Sequence, residues 1–449
     1  MHNLILRNLL LIRQNYWFWP ALMTLLGLLA GLLMPIVDAR IGDDWLRDHD
    51  ILTVVESSGA RDILTTLASA VLGVAGVSYS ITIVAVSFAS GNFGPRLVGN
   101  FMRDRLNQTV LGIFLGSFVY MIVVLRAIYD GSDGTAAFVP QISLLLALVF
   151  TLISVCALIV FFHHVPESID IMNLAAQIGT GLRESVEALL DSEDARVSVR
   201  RDTVHAGPPQ PGTSVALIRA AQAGYIQSLD LDGLQDAAET HDVYLRVLRA
   251  PGEFVAGGDA VFELRGDGTA DAAPKAALRC ISLGPSRTGD QDTLFFVDQI
   301  VEMVGRALSP SMNDPYTAII CLDWLRAGLS ALVRRAPFEP EPEWQRVVYA
   351  RVSFEQLIER AFGRMRQYLS ADRTVTLHAL TVLADLACAA STEARADRLR
   401  EFMRDLAAAA DESLGTSGSR QDVAAALADG LTRIAQSRSA TPPAGDQAL

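Results

Sequence analysis

Lysine is almost missing from this chain: of 37 basic residues only Lys275 is a lysine, and the rest are arginine. A phosphate-loop lysine or a Schiff-base lysine is thereby nearly excluded. Cysteine is sparse too, and Cys156, Cys280, Cys321 and Cys388 stand far from one another. That spacing builds neither a zinc site nor a disulfide framework, and it suits a reducing compartment. No Gly-x-Ser-x-Gly elbow, His-Glu-x-x-His helix or phosphate loop occurs, and the seven histidines are scattered. The expectation is a protein that is not an enzyme and needs no cofactor or metal. Basic surface is short as well: the formal net charge is −13. Phosphate binding needs clustered cations, so nucleic acid is not an expected partner.

What the chain has in quantity is apolar length, with 51% hydrophobic residues and a mean hydropathy of +0.30. Four runs carry it: Trp17–Val37, Ile63–Ser90, Val110–Ile128 and Ile142–Phe162. A hydrocarbon layer about 30 Å thick needs roughly 20 apolar residues per helix, so each run is long enough to span one. The expected fold class is an α-helical polytopic membrane domain of four transmembrane helices, followed by a mixed α+β cytoplasmic domain. The first run carries Trp17 and Trp19 at its start and ends in Met34-Pro35 without a small-x-small cleavage pattern, so it reads as a retained anchor. Arginine sets the orientation. Arg7 and Arg13 precede the first run, and Arg96, Arg103 and Arg105 crowd the short second loop against Asp104. The first loop is dominated by acids, and the third has Asp130 and Asp133 with no arginine. By the positive-inside rule both termini and the second loop are cytoplasmic.

The second run differs from the others. Ser69, Gly73, Gly76, Ser80 and Ser87 recur at spacings that align them on one helix face. Such a stripe admits close helix–helix packing. It would equally make the mildly polar wall of a permeation path in an oligomer, or a groove for a lipid or small ligand. No Asp, Glu, Lys or His lies mid-span, which weighs against a proton relay or an ion-coupled pump. Beyond it Gly91, Gly94 and Pro95 break the helix. Ser90, Pro95, Arg96, Asp104 and Arg105 then form a membrane–cytoplasm linker, with residues 101–109 read as an interfacial helix and Asp104 as a partner for its arginine neighbours. An anionic-lipid anchor and a gating linker both fit this segment.

The expected domains are 1–164 (transmembrane), 165–206 (helical connector), 213–268 (small β-barrel-like module), 275–436 (helical cytoplasmic domain) and 437–449 (disordered tail). His163 and His164 are adjacent, which suits interface residues better than one metal ion. Val215–Ile218, Gly224–Ser228, Val243–Arg249 and Val261–Leu264 read as strands, with Asp232–Thr240 a helix between them. Their turns resemble those of a biotinyl/lipoyl-like hybrid barrel, but no lysine stands at a hairpin tip to be modified. Arg346–Leu369, Val375–Ala390 and Glu393–Ala410 read as a helical bundle. Within the helical part, Ser309, Asn313, Asp314 and Thr317 crowd one turn where Asp314 caps a helix with Pro315 at its first position. Structure explains most of that turn; the alternative is a ligand or subunit contact, with an anionic small ligand favoured by a helix N-terminus.

Two runs, SYSITIVAVSFASGNFGPRLVGNFMRDRLNQTVLGIFLGSFVY and RALSPSMNDPYTAIICLDWL, resemble a bacterial family of predicted membrane proteins defined by domain of unknown function 2254. The matching positions include Ser90, Phe93, Pro95, Arg96, Asp104 and Arg105, then Ser309, Pro310, Asn313, Asp314, Pro315 and Thr317. The resemblance implies an integral bacterial inner-membrane protein with an N-terminal helical region and a soluble C-terminal part, and it lends no catalytic residues. The functional expectation is an oligomeric channel or passive transporter with a cytoplasmic gating domain. The alternative is a membrane-anchored ligand sensor or scaffold without transport. The bilayer and further copies of the chain are the expected partners.

Overall fold

The computed structural model describes residues 17–41, 55–93, 104–129, 138–200, 215–266, 272–335, 346–349 and 352–440. The chain divides into two compact units, Met1–Asn173 and Leu174–Leu449.

Among the described residues the first unit holds four helices: α1 (Phe18–Ile41), α2 (Ser57–Phe93), α3 (Arg105–Ala127) and α4 (Gln141–Ser168). Leu64, Ala68, Val71 and Ala75 of α2, Phe114, Tyr120 and Val124 of α3, and Ala147 and Phe161 of α4 share one core. The tightest approach is between α1 and α3. A Cβ placed on Gly27 would lie 2.2 Å from the carbonyl oxygen of Gly116, and one on Gly116 would lie 2.8 Å from that of Met23. Gly27 and Gly31, like Gly112 and Gly116, form Gly-x-x-x-Gly pairs that let two backbones meet.

Polar groups close both ends of the bundle. Pro140 precedes α4 and supplies no side-chain cap. The buried Asp38 of α1 takes that role, accepting from the amides of Ile142 at 2.8 Å and Ser143 at 2.9 Å and from the Ser143 hydroxyl. A carboxylate there satisfies orphan donors and complements the helix dipole. Tyr120 donates to the Ser143 carbonyl at 2.9 Å on the same side. At the opposite end of α3, Asp104 caps the helix by accepting from the Leu106 amide at 2.9 Å.

Two sequence-based boundaries move. The second helix begins at Ser57 rather than near 63 and runs 37 residues, about 55 Å at 1.5 Å per residue, well beyond one hydrocarbon thickness. Arg105–Thr109 are the first turn of α3, not a separate interfacial helix, because the Asp104 cap starts the helix before its apolar run does.

In the second unit, α5 (Ile171–Arg200) packs through small residues: a Cβ on Gly179 would meet Trp324 at 2.7 Å, and one on Gly181 would meet Phe296 at 2.6 Å. Strands β1 (Val215–Arg219), β2 (Gly224–Leu229), β3 (Tyr244–Val247), β4 (Phe254–Val255), β5 (Ala260–Arg265), β6 (Ile281–Gly284) and β7 (Val347–Val348) form two sheets, ordered β1-β5-β3-β7 and β4-β2-β6. Helices α6 (Leu231–Thr240) and α7 (Ala272–Arg279) accompany them. The expected closed barrel is not formed. Strand β2 leaves the first sheet to pair with β4 and β6, and β7 adds to β3 in parallel from far along the chain. Ile226, Leu234, Leu245, Val255 and Phe262 fill the core between these elements.

The remaining described elements are helical: α8 (Thr293–Ala307), α9 (Pro315–Arg334), α10 (Phe354–Ile358), a π-helical turn (Glu359–Gly363), α11 (Arg364–Leu369), α12 (Arg373–Ala389), α13 (Glu393–Ser413) and α14 (Ser417–Ala440). The single helix expected over Arg346–Leu369 is instead strand β7 and then α10, which a Ser353–Gln356 capping box starts. Residues 437–440, expected in the disordered tail, are the last turn of α14. Among the described residues five helices are long and apolar enough to cross a membrane: α1 to α4 and α9. Half of the apolar stretch in α9 is buried within the protein.

Candidate functional site

Helix α2 has two faces of opposite fate. Ala60, Leu64, Ala68, Val71, Ala75, Ala85 and Ala89 turn inward. Ser69, Gly73, Gly76, Ser80 and Ser87 are all exposed. A Cβ on Gly73 or Gly76 would find nothing within 4 Å. Packing among the described residues therefore does not account for these two glycines. Ser80 donates to the Gly76 carbonyl at 3.0 Å, and Thr82 to that of Ser78 at 3.0 Å, so these hydroxyl donors are satisfied along their own helix. Their oxygens still have acceptor capacity. Beside the stripe runs an apolar groove of about 890 Å³, with Trp17 just before α1, Leu28 of α1, Leu72 and Gly76 of α2 and Leu115 of α3 on its walls.

Of the linker residues, Ser90 is half-buried in α2, while Pro95 and Arg96 lie outside the described residues. Asp104 is partly buried and, besides capping α3, contacts His164 of α4. Arg105 is exposed. His163 faces Glu167 at 3.3 Å, with both side chains largely exposed. The two adjacent histidines thus diverge to different carboxylates. Among the described residues no group of three or more His, Cys, Asp or Glu could hold a metal ion.

The turn before α9 consumes most of its own polar groups. Ser309 donates to the Arg306 carbonyl at 2.6 Å and sits 3.1 Å from the Ser311 hydroxyl. Asp314 accepts from the Thr317 amide at 3.1 Å and from its hydroxyl at 2.6 Å. Asn313 is exposed in the left-handed region, at φ +46°, which asparagine tolerates better than most residues. The capping carboxylate occupies the place an anion would take, so the geometry favours the structural account of this turn. Tyr316 is left projecting, 73% exposed.

Sequence reasoning missed the densest charged cluster. Asp298 of α8 is only 4% exposed, yet it meets three guanidiniums. Arg287 donates to it through Nη1 at 2.5 Å, Arg360 through Nε at 2.6 Å and Nη2 at 2.7 Å, and Arg364 lies 3.6 Å away. Arg287 also donates to the buried Asp292 at 2.8 Å. Burial works against the Asp298 carboxylate, but the hydrogen bonds from Arg360 and Arg287 outweigh it and hold the group below its usual range. Burial pushes the Asp292 carboxyl up, opposed by Arg287. Arg360 and Arg364 reach Asp298 from far along the chain, so no local pattern flagged the cluster. The Gly-x-x-x-Gly pairs of α1 and α3 were also missed, although their spacing was a usable signal.

A bundle of long apolar helices, joined to a mixed α/β unit, defines a multi-pass membrane protein. The chain belongs to the family described as Predicted membrane protein (DUF2254), which matches residues 13–385. It is 30% identical over 328 residues to the uncharacterized proteins Mb1321c of Mycobacterium bovis and Rv1290c of Mycobacterium tuberculosis, covering 71% of this chain. The match spans 61% of the length of those relatives. No solved structure matches the chain.

Proposed function

We propose that this protein is an oligomeric channel or passive transporter of the bacterial inner membrane. In this reading α2 presents its small, hydroxylated face to an axis between copies. The observation that carries it is the exposure of all five stripe residues while the opposite face of α2 is packed. Four spans make a small bundle, and repetition around a symmetry axis would enclose a path that one bundle lacks. A wall of Gly and Ser without ionisable groups suits passive movement more than ion-coupled pumping. Helices α1 to α4 are the four spans. Helix α9 stays outside the membrane, since Asp323 and Arg326 upon it pair with His378 and Asp385 at 2.8 and 2.6 Å. Both termini face the cytoplasm.

Single-channel recording of the purified full-length protein in planar bilayers, with Ser80→Leu beside it, tests this reading. Discrete conductance steps that Ser80→Leu abolishes or resizes are the expected result. Silence across ions, voltage and tension overturns it in favour of a membrane-anchored sensor or scaffold. What supports that second reading is a second unit with its own core and the buried Asp298 charge cluster.

A further inference from the structure

A cleft of about 640 Å³ opens in the second unit beside the Asp298 cluster. Four arginines line it: Arg249, Arg287, Arg360 and Arg364. In a chain with a net charge of −13, four guanidiniums around one cavity are not an average patch of surface. Their exposure is graded. The Arg287 side chain is 15% exposed, that of Arg360 28% and that of Arg364 53%. The two inner arginines are fixed by Asp292 and Asp298 at 2.5 to 2.8 Å, whereas the nearest carboxylate to Arg364 is 3.6 Å away.

The charges can be counted. Arg249 pairs with Glu253 at 3.2 Å, and Glu359 is engaged by Arg398 at 3.0 Å. Arg398 is shared with Glu401, so the charges around the cleft balance, and Arg364, half-exposed and 3.6 Å from Asp298, is the guanidinium of the four least engaged by a carboxylate. The backbone supports the arrangement. Gly252 on the wall has φ +89°, and a Cβ there would fall 2.0 Å from the Asp292 carboxylate. The rest of the lining includes Val247, Leu248, Leu294 and Tyr349, apolar and aromatic surface able to cover an organic body. The volume lies within the few hundred to about 1,000 Å³ usual for small-molecule pockets.

We infer that this cleft binds a small organic oxyanion, its phosphate or carboxylate group held by the Arg364 guanidinium beside the rigid Arg360–Asp298–Arg287 array. A planar guanidinium fork matches both groups in two-point geometry. The loosely engaged Arg364 guanidinium selects an anion. The buried carboxylates hold the inner guanidiniums in place before the ligand arrives, which lowers the cost of ordering on binding. The inference is independent of whether α2 lines a path.

The test is titration calorimetry on the full-length protein in detergent at constant ionic strength, with inorganic phosphate, adenosine monophosphate and succinate as probes. Saturable binding of at least one probe is expected, with Arg364→Gln weakening it tenfold or more and Arg420→Gln, at an exposed position of α14, leaving it unchanged. Binding of the phosphate probes alone assigns a phosphoryl ligand, and binding of succinate alone a carboxylate; each supports the inference. If Arg364→Gln fails to fold, Arg249→Gln on the cleft wall is expected to weaken binding in its place. No saturable heat with any probe overturns the inference. So does binding that a folded Arg364→Gln or Arg249→Gln variant retains in full.

Discussion

Two pairs of glycines in the helical bundle look alike in sequence and differ in circumstance. Gly27 and Gly116 sit where α1 and α3 cross, so close that a single added carbon would strike backbone. Gly73 and Gly76 of α2 look onto open space. In a bilayer, where lipid tails are as apolar as leucine, small residues act chiefly by letting another backbone approach. The first pair has that backbone within its own chain. Among the described residues the second has none, and in the reading proposed above its partner is another copy. A small-residue stripe marks a surface of approach, and the packed structure decides whose.

The largest effect that could break this contrast is at the crossing. Gly27→Leu is expected to destabilise the bundle by about 5 kcal/mol, the range of severe overpacking against backbone. Gly76→Leu is expected to leave the fold of the monomer within about 0.5 kcal/mol while shifting its association. Thermal unfolding in detergent, paired with size measurement by light scattering, separates the two. A Gly76→Leu variant that unfolds as Gly27→Leu does would mean that the open face of α2 is covered within its own chain.

The same contrast explains what could be read early. Helices α1 to α4 were visible because twenty apolar residues in a row have few other uses, and β1, β2 and β5 because alternation and turn glycines bound them closely. Strand β7 was not visible: two residues, Val347 and Val348, become a strand only because Leu245 and Arg246 offer an edge. The barrel was an extrapolation from turns to closure, and turns do not specify which strands pair. In the candidate site, the composition of the α2 stripe was legible, but its outward direction depended on which residues α3 and α4 bury. The Asp298 cluster was silent in sequence because its charges meet only after α8, the Arg287 loop and the π-helical turn have packed.

That cluster supplies the next prediction, and it sharpens the comparison by placing buried charge against close backbone packing. Asp298→Ala strands Arg287 and Arg360 without their shared carboxylate. A loss of about 3 to 5 kcal/mol is expected, typical of breaking a buried pair from one side. The Arg366–Asp405 pair, nearly half-exposed at 2.9 Å, provides the control: Asp405→Ala should cost about 1 kcal/mol or less. The pH dependence has a definite sign. The Asp298 carboxyl is held below its ordinary value of 3.8. Its stabilisation is therefore present above that value and disappears as pH falls through the lower, folded one. Asp292, raised by burial, works in the opposite sense and takes its proton first. The difference in melting temperature between wild type and Asp298→Asn should be full near neutrality and vanish only in strong acid. A difference that does not change with pH would show that Asp298 contributes shape rather than charge.

The smallest effect tests how the bundle is closed at its other polar end. Asp314 caps the helix it precedes, a local arrangement legible in Asn-Asp-Pro, whereas Asp38 caps α4 from a helix more than a hundred residues earlier. Both satisfy free amides, so Asp314→Ala and Asp38→Ala should each cost about 1 to 2 kcal/mol. Their consequences differ by location. Removing Asp314 frees only the turn before α9. Removing Asp38 leaves the amides of Ile142 and Ser143 and the Ser143 hydroxyl without their acceptor, in a place where Tyr120 already takes the Ser143 carbonyl. Hydrogen exchange read at the start of α4 should therefore quicken in Asp38→Ala and stay unchanged in Asp314→Ala. Equal protection in both variants would mean that the Tyr120 contact alone holds α4, and that the end of the bundle is closed by packing, as its centre is by glycine.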